Sequence, residues 1–312
     1  MEYKIFKGNC LELHSNIQDG ECDLVLMDPP YGNMDTDGGR RLGINEWDKT
    51  IAPKELFTIC NRILRRNGKL ILFSQEPYTS RLITEALPNL PFSYRCVWEK
   101  DAFANALGSK KAPVSYFEDI LVFSKNHDVE GLHPLRAYFK LVYEFVGLKR
   151  KEINKTLGHR RAEHAFYIES TQFSLCTEQT YEQLIQVFSI DKMQGFKPYD
   201  ELKALDDQYK QRFASTFNLW QGGKYKSNIF KYRKEYTGHH PTQKPVELLR
   251  DLIKTYSNEG DTVADLTMGS GSTGVACGLD KRKFYGVELN DYFSIAEQRI
   301  EEAYNPTQIK LF

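Results

Sequence analysis

Two hydrophobic periods divide the chain. Near the start, Tyr3–Phe6 alternates apolar and polar residues as a short strand does, and Gly8-Asn9-Cys10 turns it. Asp23–Met27 is an apolar run, the mark of a parallel strand covered on both faces. Residues 33–49 contain Gly38, Gly39 and Gly43 with little periodicity, which predicts a mobile loop beside that strand end. Pro53 then opens a helix with Leu56, Ile59, Cys60 and Ile63 at helical spacing, which Asn67-Gly68 is expected to end. Lys69–Phe73 is the next strand, followed by a helix near Tyr78–Leu87 and strands near Phe92–Glu99 and Asp119–Phe123. Strand alternating with helix on this rhythm predicts an α/β protein with a doubly wound sheet.

The rhythm changes after about His133. Leu135, Tyr138, Phe139, Val142 and Phe145 keep a 3.6-residue period up to Gly147, and Leu148, Ile153 and Leu157 mark a second short helix up to Gly158. A basic segment, His159–Tyr167, follows, and Leu184, Ile185, Val187 and Phe188 add a further amphipathic stretch. Two short helices joined by a tight turn form a helix-turn-helix pattern. Residues 131–215 therefore read as a helical insertion between 1–130 and 216–312. From Ser227 the α/β rhythm returns. Ser227–Arg233, Thr262–Leu266 and Lys283–Glu288 are strand-like; Pro245 with Leu248, Leu249, Leu252 and Ile253, Thr273–Leu279 and Asp291–Tyr304 are helical.

Charge narrows the picture only locally. The 312 residues carry 42 basic and 42 acidic side chains, so a polyanionic partner would have to be met by a patch. One patch stands out: Lys149, Arg150, Lys151, Lys155, Arg160 and Arg161 lie in thirteen residues beside a single acid, Glu152. The competing reading is a solvated basic face on a structural cap. Six scattered cysteines with no Cys-x-x-Cys pair suggest reduced thiols, without a zinc site or disulfide frame. No apolar stretch is long enough to span a bilayer, so a cytoplasmic protein with no membrane partner and no metal is expected.

Candidate chemistry sits at two strand ends. Gly269, Gly271 and Gly274 match Gly-x-Gly-x-x-Gly between a strand and a helix, and Glu288 ends the next strand. Glycines let a backbone approach a ligand, and the acid suits ribose hydroxyls, so the segment predicts an adenosine-type cofactor. By itself it leaves a nicotinamide-dependent oxidoreductase open. The other strand end, Asp28-Pro29-Pro30-Tyr31, combines an acid, two stiff prolines and a ring, parts that suit a flat base bearing an amino group.

With Asp28-Pro29-Pro30-Tyr31, Asp265-Leu266-Thr267-Met268-Gly269-Ser270-Gly271 and His240-Pro241-Thr242-Gln243-Lys244-Pro245, the chain resembles the DNA amino-methyltransferases that use S-adenosylmethionine. The catalytic motif precedes the cofactor motif, the permuted order of the family's beta group. The resemblance implies a Rossmann-like methyltransferase sheet and methyl transfer to the exocyclic amino group of adenine in double-stranded DNA. Cytosine N4 is the alternative; cytosine ring-carbon chemistry is excluded because no cysteine follows a proline. It further implies that Asp28 and the Pro29 carbonyl accept the amino protons, next to Pro30, and that Tyr31 stacks on a flipped base. Asn9, Asp28, His240, Thr242, Lys244, Asp265, Thr267, Gly269, Ser270, Gly271, Ser272, Thr273 and Glu288 are the expected cofactor contacts. The helical insertion is the expected target-recognition region, with the six basic residues on DNA. A homodimer and a cognate restriction endonuclease are the further partners that the resemblance brings into view. A helix-turn-helix binder with a decayed methylase core is the non-enzymatic rival.

Overall fold

The computed structural model describes residues 2–31, 50–104, 110, 113–127, 133–170, 172–235 and 243–305. The expected loop at 33–49, together with His240 and Thr242, lies outside the described residues. The chain divides into two compact units, one formed by 1–126 together with 215–312 and the other by 127–214.

The first unit is an α/β sandwich around one sheet. Its strands are β1 (Tyr3–Lys7), β2 (Cys22–Met27), β3 (Leu64–Ser74), β4 (Phe92–Ala104), β5 (Ser115–Ser124), β6 (Ile229–Lys231), β7 (Thr262–Asp265) and β8 (Lys283–Glu288). They lie in the order β1-β8-β7-β2-β3-β5-β4-β6. Neighbours pair in parallel except that β5 runs antiparallel to both β3 and β4. Alternation along β2 shows why Leu24–Met27 had to be apolar without a break. Val25 and Met27 face a core built with Leu56, Phe57, Cys60 and Ile63 of α2 (Pro53–Ile63) and with Tyr78 and Leu82 of α3 (Tyr78–Thr84). Leu24 and Leu26 face the opposite core, with Leu248, Leu249, Leu252 and Ile253 of α8 (Val246–Tyr256), Ala276 and Cys277 of α9 (Ser272–Leu279), and Ala296 and Ile300 of α10 (Tyr292–Tyr304). Each fully buried Leu or Ile contributes roughly 1.5–3 kcal/mol.

One expectation about a boundary changes. Helix α2 stops at Ile63, before Asn67-Gly68, and β3 begins at once. Leu64 pairs with Cys22 and Lys69 with Leu24, so Arg65–Gly68 bulges out of register. The cause is a long-range ion pair, Arg65 with Asp23, which a local pattern does not announce. Gly68 is required there: a Cβ would lie 2.9 Å from the Arg65 carbonyl oxygen and 3.0 Å from that of Asp23. Strand β6 is also shorter than expected, and β4 longer.

The second unit has its own core, including Leu135, Phe139, Val142, Ile153, Phe166, Tyr181, Leu184 and Leu202. Helices α4 (Leu135–Val146) and α5 (Arg150–Leu157) are joined through Gly147, whose φ of 64° lets the chain reverse out of α4. The basic segment 159–167 holds only a single 3-10 turn, Glu163–Phe166. Helix α6 (Glu178–Phe188) covers the second amphipathic stretch, and α7 (Tyr199–Arg212) follows it.

Candidate active site at the sheet switch point

Strands β2 and β7 are adjacent and parallel, with Leu24 opposite Val263 and Val25 opposite Ala264. From β2 the sheet continues to β3 on one side, and from β7 to β8 on the other. Their carboxyl ends therefore flank the switch point, where open α/β sheets bind ligands. Asp28 follows β2 and Asp265 ends β7, so the two motifs meet there. The Thr267 hydroxyl donates to the Asp28 backbone carbonyl at 3.2 Å, across 239 positions of sequence.

On the β2 side a hydrogen-bonded cluster surrounds the acid. The Tyr31 hydroxyl donates to Asp28 Oδ1 at 2.6 Å, and Lys244 Nζ donates to Asp28 Oδ2 at 2.5 Å. Lys244 also lies 3.1 Å from Glu118 Oε2, and Lys100 Nζ donates to Glu118 Oε1 at 2.8 Å. Burial pushes the Asp28 carboxyl above its ordinary range although Lys244 pulls the other way. Burial also raises Tyr31, helped by the Asp28 and Glu118 carboxylates, so its phenol stays protonated. Glu118 moves in the opposite direction: burial would raise it, but Lys244 and Lys100 outweigh burial and hold it low. Two acids and two lysines thus balance, with the lysines and Glu118 more deeply buried than Asp28.

On the β7 side the turn is held by its own acids. Asp265 accepts from the Thr267 backbone N–H at 3.0 Å and from the Thr273 hydroxyl at 2.6 Å, and burial pushes its carboxyl up to about 7. Glu288 accepts from the Gly269 N–H at 2.8 Å and from the Asn290 N–H at 2.9 Å. Gly269 has a φ of 54° with open space where a Cβ would be. Gly274 differs, since an added Cβ would come within 2.5 Å of Ile300, so that glycine serves helix packing. Asn9 is near by sequence and pairing: the Gly8 N–H donates to the Glu288 carbonyl at 2.8 Å, and the Asn9 side chain caps the short helix α1 (Cys10–Leu13).

Not all expected contacts point the same way. Asp28, Pro29, Pro30, Tyr31, Asp265, Thr267, Gly269 and Glu288 gather at the switch point. Lys244, expected at the cofactor, directs its ammonium to Asp28 and Glu118. The Ser270 hydroxyl meets Gln243 and Arg299, and the Ser272 hydroxyl also meets Arg299. Arg299 and Glu235, which accepts from the Val246 N–H at the start of α8, were not expected; a lone charge on an amphipathic helix or in a loop carries no pattern. The basic residues are exposed on the second unit. Arg150 lies over the Tyr167 ring at 4.9 Å, and Arg160 pairs with Glu163 at 2.7 Å.

The family model for DNA methylases matches residues 22–298, which includes both strand-end motifs and everything between them. The chain belongs to the DNA methylase family. The nicotinamide reading of the glycine turn therefore falls. The type II methyltransferase M2.LlaDCHI of Lactococcus lactis subsp. cremoris is 30% identical over 302 residues, covering 95% of this methylase and 88% of the relative. The DNA adenine methyltransferase YhdJ of Escherichia coli (strain K12) is 24% identical over 306 residues, covering 96% and 83%. A crystal structure of M1.HpyAVI in complex with SAM aligns at a TM-score of 0.51 and 17% identity, covering 95% of this methylase and 99% of that chain, a likeness of fold. Among the described residues no helix is long and apolar enough to cross a membrane.

Proposed function

We propose that this methylase transfers a methyl group from S-adenosylmethionine to the exocyclic amino group of adenine in double-stranded DNA. The observation that carries the reading is the meeting of the two motifs, fastened by the Thr267–Asp28 hydrogen bond. The turn fits such a cofactor: Gly269 leaves open space, and each Glu288 oxygen keeps a second lone pair for a ribose hydroxyl. When bound, S-adenosylmethionine supplies an electrophilic methyl on a sulfonium. The work left to the protein is position and charge.

An aromatic amino nitrogen is a poor nucleophile because its lone pair is delocalised into the ring. Asp28 and the Pro29 carbonyl accept the two amino protons, which localises that lone pair and stabilises the positive charge as the N–C bond forms. Once the methyl has left the sulfonium as a neutral thioether, the methylated nitrogen carries the positive charge and loses one proton, and Asp28 is the acceptor beside it. Tyr31 is held against Asp28 by its hydroxyl, so its ring is fixed next to the acid as a stacking surface for an extruded base. Pro30 stiffens the turn between them. The 131–215 segment recognises the target, with Lys149, Arg150, Lys151, Lys155, Arg160 and Arg161 on phosphates or base edges. The name of YhdJ, a DNA adenine methyltransferase, supports adenine; a cognate restriction endonuclease is the proposed partner. The cytoplasm is the proposed compartment of action. The test is to incubate the protein with labelled S-adenosylmethionine and unmethylated DNA, then sequence the modified bases. N6-methyladenine at a fixed site is the expected product. Label on cytosine N4 would correct the base, and no label would refute the reaction.

A further inference from the structure

Lys244 makes contacts that a pocket-lining residue does not need. Its side chain is 6% exposed, and its ammonium lies between Asp28 Oδ2 at 2.5 Å and Glu118 Oε2 at 3.1 Å. The rings of Phe73 and Tyr31 lie 5.1 Å and 5.7 Å from that nitrogen. Glu118 is held in turn by Lys100, which is 4% exposed and lies 5.5 Å over the Trp98 ring. Trp98 is anchored by its indole N–H on the Tyr232 carbonyl at 2.8 Å. Burying an ammonium costs several kcal/mol unless carboxylates answer it, so this arrangement is maintained only while both acids are ionised. Asp28 in turn has one oxygen on Tyr31 and the other on Lys244, which fixes the plane of the carboxylate.

We propose that Lys244, backed by Glu118 and Lys100, is a positioning residue that keeps the Asp28 carboxylate ionised and oriented for the substrate amino group. The inference rests on the proposed methyl transfer. Asp28 must meet the amino protons as an anion in one orientation, because an acceptor that rotates, or carries a proton of its own, localises no lone pair. Lys244 does both jobs at once, and Glu118 holds Lys244 in place from behind. The groups facing Asp28 among the described residues are Tyr31, Lys244 and Glu118, with Asp265 on the neighbouring strand. Glu118 disfavours ionisation of Asp28, and Lys244 is the cation that opposes it.

The test uses the full chain with labelled S-adenosylmethionine and amplified, unmethylated genomic DNA, which offers every short site. Lys244→Met should leave cofactor binding unchanged while kcat falls by about 100-fold, the cost of a reacting group misplaced by about an ångström. The acidic limb of the kcat profile should move to higher pH, because Asp28 has lost its cation. Glu118→Gln should move that limb to lower pH, because an anion beside Asp28 has gone, and Lys244→Arg should restore part of the rate. A scaffold role for Lys244 does not give shifts of opposite sign. Wild-type kcat and an unmoved limb in Lys244→Met would overturn the inference. So would a weakening of cofactor affinity by about tenfold or more with kcat intact, which makes the lysine a cofactor contact. Should Lys244→Met lose its cooperative melt, Lys244→Gln decides: an upward shift of the limb upholds the inference and no shift overturns it. Wild-type protein that labels no DNA fails the proposed reaction itself, and this inference with it. Labelled DNA with an unmoved limb fails the inference alone.

Discussion

Replacing Glu288 by alanine removes two hydrogen bonds present in the free protein and the acceptor proposed for the cofactor ribose. The two existing bonds run from the Gly269 and Asn290 N–H groups, at 2.8 Å and 2.9 Å. They are present in free and bound states alike, so their loss appears mainly as lower thermal stability. The ribose contact exists only in the complex and appears in the dissociation constant. A hydrogen bond to a charged acceptor is worth about 1.5–3 kcal/mol. Weakening of S-adenosylmethionine binding by one to two orders of magnitude, about 1.4–2.8 kcal/mol, is the expected result. Titration calorimetry measures it directly. The demethylated product carries the same ribose, so its affinity should fall by the same factor. A 2′-deoxyribose analogue should lose affinity for wild type and nothing more for Glu288→Ala, the pattern expected of a shared pair. An unchanged dissociation constant, or a loss confined to the methylated cofactor, would refute the ribose contact.

Three further outcomes are expected. Asp28→Asn should lower kcat by about 100- to 1000-fold with cofactor binding nearly intact, by analogy with removing one preorganised partner of transition-state charge; radiolabel transfer checks it, and retained turnover contradicts the role of the acid. Asparagine is preferred to alanine because it keeps a side chain between Tyr31 and Lys244. Asp265, pushed by burial from an ordinary 3.8 to about 7, keeps its proton in the fold over a window where the unfolded chain has lost it. The folded state then binds more protons, so stability of the cofactor-free protein should fall as pH rises from about 4 to about 7. Thermal melts should show Asp265→Asn flattening that slope, and an identical slope in the variant would reject the assignment. Lys149→Gln with Lys151→Gln should lower DNA affinity and reduce its log–log salt slope by about 2 if both residues meet phosphate. The α5 start should survive, since Glu152 bonds the Lys149 backbone N–H at 2.8 Å. An unchanged slope would leave the unit as scaffold.

The sheet was legible because its signals are local. Leu24, Val25, Leu26 and Met27 are consecutive and buried on alternate faces, and the α8 leucines repeat at helical spacing, so a window of a few residues contains the information. Helix α7 gave no such signal. Of its fourteen residues only Leu202 and Asp206 are buried, and half of the other twelve are charged. The α2–β3 boundary was misplaced for a different reason. Asn67-Gly68 has the composition of a helix stop, yet it belongs to a bulge fixed by Arg65 and Asp23, 42 positions apart.

The candidate site divides along the same line. Its motifs were readable because each surrounds one strand end, and their order along the chain does not matter to a sheet that sets β2 beside β7. A permuted gene therefore leads to the same crevice. What no motif contains is the contact between them. Lys244 stood in the sequence as one letter of the His-Pro-Thr-Gln-Lys-Pro segment, and Glu118 as one letter of a strand. Their joint hold on Asp28 spans 216 positions and exists only once the sheet has closed. Asp28 is thus readable from sequence as an acid, but its charge and orientation are set by residues from two other parts of the chain. Of the two, Lys244 is the cation that opposes the burial of Asp28, and Glu118 holds that lysine.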